Sequence, residues 1–189
     1  MVNDELRQAA ANLAAFAAAQ AAPLTAAAGL VVQTLARGGK VLACGNGGSA
    51  ADAQHFAAEL VGRFETERRP LPAVALTTDT SILTAVGNDY GYDEIFYRQV
   101  RALGRKGDLL LALSTSGNSP NVLKAVPAAR EQGLKVLALT GRDGGKLAPA
   151  ADVAVVVDTQ RTCRIQECHA AALHTICRVV DEAFPPRGD

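Results

Sequence analysis

Five short apolar runs constrain this chain more than any other feature: KVLACG from Lys40, AVALTT from Ala73, DLLLALS from Asp108, KVLALT from Lys135 and VAVVVD from Val153. Each ends at a glycine, serine or threonine loop, and a helical stretch follows. A half-exposed strand alternates apolar and polar residues, so near-continuous hydrophobicity marks strands covered on both faces. Such strands belong in a parallel sheet flanked by helices and joined by right-handed crossovers. The expected fold is therefore α/β, a three-layer αβα sandwich on a five-stranded parallel sheet in the flavodoxin or Rossmann style. With 189 residues a single domain is expected, its α/β core running over 38–189.

Residues 1–37 are crowded with alanine, in AANLAAFAAAQAA and then LTAAAGLVVQTLA. Alanine has the best helix propensity but too little bulk to build a core. Pro23 is expected to divide this stretch into two helices that pack on the domain or on another subunit. The first residues, MVNDELRQAAANL, are acidic where a secretory leader is basic, and no uninterrupted apolar stretch reaches the length of a bilayer. A cytoplasmic location is expected. Lys plus Arg number 19 and so do Asp plus Glu, so no overall field favours nucleic acid or an anionic membrane. A small molecule or another protein is the expected partner. Cys44, Cys163, Cys168 and Cys177 form no CxxC pair and read as free thiols.

In parallel α/β sheets ligands bind beyond the carboxyl ends of the strands, so the loops after the apolar runs should carry function. The first, Gly45-Asn46-Gly47-Gly48-Ser49, lets the backbone turn tightly and bring N–H groups and a helix N-terminus to an anion. A glycine-rich turn with no ligand competes with that reading on even terms. The third, Ser114-Thr115-Ser116-Gly117-Asn118-Ser119-Pro120, offers four hydroxyls before a helix that opens with proline. One serine cap accounts for Ser119 alone, not for the others. Together the loops favour a phosphorylated substrate over a nucleotide, and Asp79 after the second strand is a weak ribose ligand.

The helix after the first loop carries His55 and Glu59 four residues apart, about 5–6 Å at Cβ, close enough to share a metal or a substrate hydroxyl. An exposed surface pair is the ordinary meaning of that spacing, and the nearby glycine loop shifts the balance. Two of the chain's three histidines lie in RIQECHAAALH, on a helix expected to run to about Phe184. His169 and His174 are five apart and do not share a face cleanly, so one is functional and the other structural. The stripe Leu173, Ile176, Val179 and Val180 makes a core role the plainer reading of His174.

With these motifs together the sequence resembles the sugar isomerase (SIS) domain family, and within it the phosphoheptose isomerases. The resemblance rests on CGNGGSAADAQHFAAEL, TTDTSILTAVGNDYGYDEIF, LSTSGNSPNV and RIQECHAAALH, in that order and over nearly the whole chain. It implies conversion of sedoheptulose 7-phosphate to D-glycero-D-manno-heptose 7-phosphate through a cis-enediol, a step towards bacterial lipopolysaccharide. It also implies zinc and a homotetramer with active sites at subunit contacts. By motif it places His55, Glu59, Gln166 and His174 at the metal. Around the substrate it places Asn46, Gly47, Gly48, Ser49, Glu59, Asn88, Asp89, Ser114, Thr115, Ser116, Ser119 and Gln166. Glu59 is then the base and His174 the acid.

One difficulty is geometric. On a regular helix Gln166 and His174 stand about 12 Å apart along the axis, too far for one ion. Either the helix starts after Gln166, or both side chains lean towards the ion, or the ligands come from different subunits. Two alternatives remain beside the heptose enzyme. FETERRPLPAVAL and RQVRALG resemble a non-catalytic SIS-fold adaptor that binds the bacterial replication initiator, against which the retained His55, Glu59 and His174 argue. The other is an isomerase for a different sugar phosphate. Asp52 and Asp93 read equally as site residues or as helix-end charges.

Overall fold

The computed structural model describes residues 1–186. All five apolar runs form strands: β1 Val41–Cys44, β2 Ala73–Ala75, β3 Leu109–Ser114, β4 Lys135–Gly141 and β5 Val153–Val157. They make one parallel sheet in the order β2-β1-β3-β4-β5, as the sequence pattern predicts. Side chains alternate between its faces, and both faces are buried. On one, Val41, Ala43, Leu109, Leu111, Leu113, Leu137 and Leu139 pack against α1 (Val2–Ala36), α2 (Gly48–Val61) and α6 (Thr162–Ala183). On the other, Leu42, Cys44, Leu110, Ala112, Val136 and Ala138 pack against α4 (Ile95–Leu103) and α5 (Pro120–Glu131). Double-sided burial is why these runs lack alternation. The remaining helix, α3 (Thr80–Tyr90), has no buried residue and is capped by Asp79, whose Oδ1 accepts from Ile82 N at 2.9 Å.

Two expectations need correcting at the N-terminus. Pro23 does not divide the chain, because α1 continues through it as one 35-residue helix. Proline removes one helix hydrogen bond at a cost of about 3 kcal/mol. Attachments to the core flank it: Gln20 Oε1 accepts from Val156 N at 3.1 Å before it, and Ala27, Ala28 and Val31 are buried after it. The expectation that no stretch reaches spanning length also fails, since α1 is long and apolar enough by length and composition to cross a membrane. Alanine supplies that apolarity, and core helices meet the same criterion. Here α1 lies along α6 and β5, with Asn12 Nδ2 donating to Cys168 Sγ at 3.1 Å and Arg161 bonding Gln8 and Glu5.

Candidate active site

A sheet ordered 2-1-3-4-5 reverses direction between β1 and β3, and the chain leaves these neighbouring strands towards opposite faces. α2 follows β1 on one face and α5 follows β3 on the other, so a crevice opens between their N-termini. The glycine loop and the hydroxyl loop border it.

In the hydroxyl loop the buried Ser114 Oγ lies 2.9 Å from Ser119 Oγ and 3.4 Å from Ser116 Oγ. Ser119 occupies the N-cap position of α5, yet its hydroxyl bonds no N–H of that helix. The capping explanation therefore fails for this serine, and three hydroxyls cluster at the carboxyl end of β3. Thr115 is half-buried beside them. Gly117 adopts φ +64°, and a Cβ there would strike the Gly144 carbonyl; Leu147 N donates to Gly117 O at 3.0 Å. The turn after β4 thus backs the loop.

In the glycine loop Gly47 takes φ +54°, a conformation that favours glycine, and α2 begins at Gly48. Ser49 is buried, and its N–H donates to Asn46 O at 3.0 Å. Asn46 pairs its amide with that of Asn121, each Nδ2 donating to the other's Oδ1 at 2.8 Å.

Further along α2, His55 Nε2 stands 2.8 Å from His174 Nε2 and 3.5 Å from Glu59 Oε1. The His174 ring also packs on Phe64, with centroids 5.4 Å apart. His174 is thus exposed at the site while His169 is the core histidine, with Nε2 3.0 Å from Thr140 O. The plainer sequence reading had His174 in the core; the five-residue offset instead turns His169 towards the sheet. Gln166 lies at the other end, against Gly48, where any Cβ would collide with its amide. Since α6 starts at Thr162, both Gln166 and His174 lie on one helix and α2 runs beside it in parallel register. Within one protomer Gln166 therefore faces the glycine loop and His174 faces His55, so one protomer does not bring Gln166 together with the other expected metal ligands. Asn88 and Asp89 bond each other at 2.8 Å on exposed α3, which packs on α4 and the short turn Tyr92–Glu94.

Among the described residues no three His, Cys, Asp or Glu side chains surround a single point tightly enough to hold a metal ion. The donor set of His55, His174 and Glu59 nevertheless has the chemistry of a catalytic zinc site, with two imidazoles, a carboxylate and an open side.

Three further features were not legible in the sequence as site elements. Asn121, Tyr92 and the Arg68–Asp181 pair all act through tertiary contacts. Arg68 Nε donates to Asp181 Oδ1 at 2.9 Å, and its Nη1 donates to Leu60 O and Gly62 O at the end of α2. Asp52, three residues before His55, keeps one carboxyl oxygen buried without a partner; burial pushes its pKa up and the charge of His55 opposes this.

The SIS domain model matches residues 6–141. The chain belongs to the SIS domain family. Within it the similarity is to phosphoheptose isomerases. That of Aliarcobacter butzleri is 61% identical over 159 residues, 84% of each chain. The solved phosphoheptose isomerase of Neisseria gonorrhoeae superposes with TM-score 0.91 at 52% identity, over 96% of this chain and 97% of that one. For the Francisella tularensis enzyme the TM-score is 0.92 at 42% identity, with 96% of each chain covered. The SIS fold expected from the sequence is thus the fold observed.

Proposed function

We propose that this chain is an aldose–ketose isomerase that converts sedoheptulose 7-phosphate to D-glycero-D-manno-heptose 7-phosphate. The observation that carries the reading is the layout along α2. Its N-terminus faces a hydroxyl loop suited to a phosphate, and His55, seven residues on from Gly48, meets both His174 and Glu59, the latter eleven residues on. At 1.5 Å per residue the histidine lies about 10 Å from the anion end, a separation an extended sugar phosphate spans. The identity to phosphoheptose isomerases supports this substrate.

Isomerisation moves one proton between neighbouring carbons and one between their oxygens. Glu59 takes the proton from C1 of the ketose and returns it to C2 of the cis-enediol. His174 gives a proton to O2 as charge builds there and recovers one from O1, so the ring ends as it began. Ser114, Ser116, Ser119 and the start of α5 hold the phosphate with neutral donors. His55, Glu59 and His174 would hold zinc, which when bound would polarise the substrate carbonyl without redox chemistry.

In this reading Gln166, Asn88 and Asp89 contact the sugar phosphate, and α3, with no buried residue in one chain, brings the last two to the site of a neighbouring subunit in a homotetramer. The enzyme works in the cytoplasm. The test is conversion of sedoheptulose 7-phosphate by the wild type and by His174→Ala, each with zinc and after chelation. Turnover confined to the zinc-loaded wild type supports the proposal. No conversion under any condition overturns it in favour of another sugar phosphate or of the adaptor role.

A further inference from the structure

The crevice contains one fully buried polar side chain to which neither the sequence nor the mechanism gives a role. Asn121, at the second position of α5, is 1% exposed. Its Nδ2 donates to Asn46 Oδ1 and its Oδ1 accepts from Asn46 Nδ2, both at 2.8 Å. Each amide oxygen takes a second bond, Asn121 Oδ1 from Val122 N at 2.9 Å and Asn46 Oδ1 from Tyr92 Oη at 3.2 Å. Both lone pairs of each oxygen are therefore in use. Only two amides satisfy this face-to-face arrangement, because an aspartate at either position would set oxygen against oxygen.

The pair joins elements that lie on opposite faces of the sheet. Asn46 belongs to the loop that starts α2, and Asn121 to the helix that follows the hydroxyl loop. Ser119, two residues before Asn121, carries one of the clustered hydroxyls, and Gly47 follows Asn46 directly. Among the described residues the N–H groups of Gly47 and Gly48 meet no protein acceptor. The amide pair consequently fixes where those two donors stand relative to Ser114, Ser116 and Ser119.

We propose that Asn121 is a positioning residue for anion binding: through Asn46 it sets the spacing of the glycine and hydroxyl loops so that both grip one phosphate. It touches no substrate atom. The Asn46 side chain is engaged by Asn121 and Tyr92, so its contribution to binding is also exerted largely through the loop backbone.

The decisive experiment measures inorganic phosphate affinity by calorimetry, with KM and kcat for sedoheptulose 7-phosphate beside it. Asn121→Asp keeps the size but sets oxygen against oxygen and adds a charge, so Asn121→Ser, which removes the amide without adding charge, is measured beside it as the neutral loss. Loss of a buried neutral hydrogen bond predicts a phosphate Kd and a KM raised about tenfold with kcat within about twofold. Because Asn121 acts through Asn46, adding Asn121→Ala to Asn46→Ala should weaken phosphate binding by less than about twofold more. Wild-type affinity in Asn121→Asp, full additivity in the double variant, or a wild type that binds no phosphate would each overturn the proposal. Phosphate binding without any sugar turnover would sink the isomerase reading instead and leave this one to the calorimetry.

Discussion

His55 and His174, on parallel neighbouring helices, meet through Nε2 atoms 2.8 Å apart. Such facing nitrogens share a single hydrogen bond, and the same two imidazoles would serve as zinc ligands in the proposed enzyme. Purified protein is expected to bind about one zinc per chain, and His55→Ala or His174→Ala to lose it, as read by metal analysis after dialysis. Zinc retained at full occupancy in both variants would place the ion elsewhere.

Glu59 is the base in the proposed mechanism, and Glu59→Gln removes its basicity with little change in size. Turnover is expected to fall by about three orders of magnitude or more while the substrate still binds, which single-turnover and binding measurements separate. Turnover near the wild-type value would remove Glu59 from the role.

Ser116 and Ser119 donate without charge, so their loss should weaken binding rather than chemistry. Ser116→Ala with Ser119→Ala is expected to raise KM by about tenfold to a hundredfold, at roughly one neutral hydrogen bond each, with kcat changed far less. An unchanged KM would reduce the loop to a turn that opens α5.

The strands and both loops were legible because their signals are local. Strands buried on both faces announce themselves in uninterrupted runs such as Leu109–Leu113, and glycine and serine mark turns by their own conformational and hydrogen-bonding preferences. What escaped depends on contacts distant in sequence. Pro23 looked like a break because proline opposes helix interiors, but contacts from β5 and α6 hold α1 through it. The roles of His169 and His174 depend on which face of α6 meets β4, something the apolar stripe alone does not settle. Asn121 looked like an ordinary residue in a helix start, and only its partner 75 positions away gives it meaning.

Arg68 and Asp181 form a buried pair that ties the end of α2 to the end of α6. Asp181 also accepts from Glu65 N at 2.9 Å and Thr66 N at 2.8 Å, so the segment after α2 hangs on one carboxylate. Arg68→Met strands that charge and should cost about 3–5 kcal/mol in chemical denaturation, whereas Arg68→Met with Asp181→Leu should recover part of the loss. A single variant as stable as the wild type would show that the pair is dispensable.

Burial of His169 makes stability depend on pH in a window of its own. Desolvation pulls its pKa from 6.5 down to about 4, against the opposing bond to Thr140 O, and its Nδ1 is buried without a partner. The unfolded chain then binds the proton more readily than the fold. The contribution is fully present above pH 6.5 and is lost as pH falls towards 4, up to about 3 kcal/mol. The carboxylate of Asp181 acts lower: burial raises its pKa, but bonds from Thr66 N, Glu65 N and Arg68 outweigh this and hold it below 3.8, so its contribution fades only as pH drops beneath that value. Urea unfolding of the wild type between pH 7 and 4.5 should therefore show falling stability that His169→Gln, which cannot titrate but can still donate to Thr140 O, makes markedly flatter. Equal slopes in the two proteins would mean that His169 is protonated in the fold at little cost, and that acid sensitivity in this range arises from other groups.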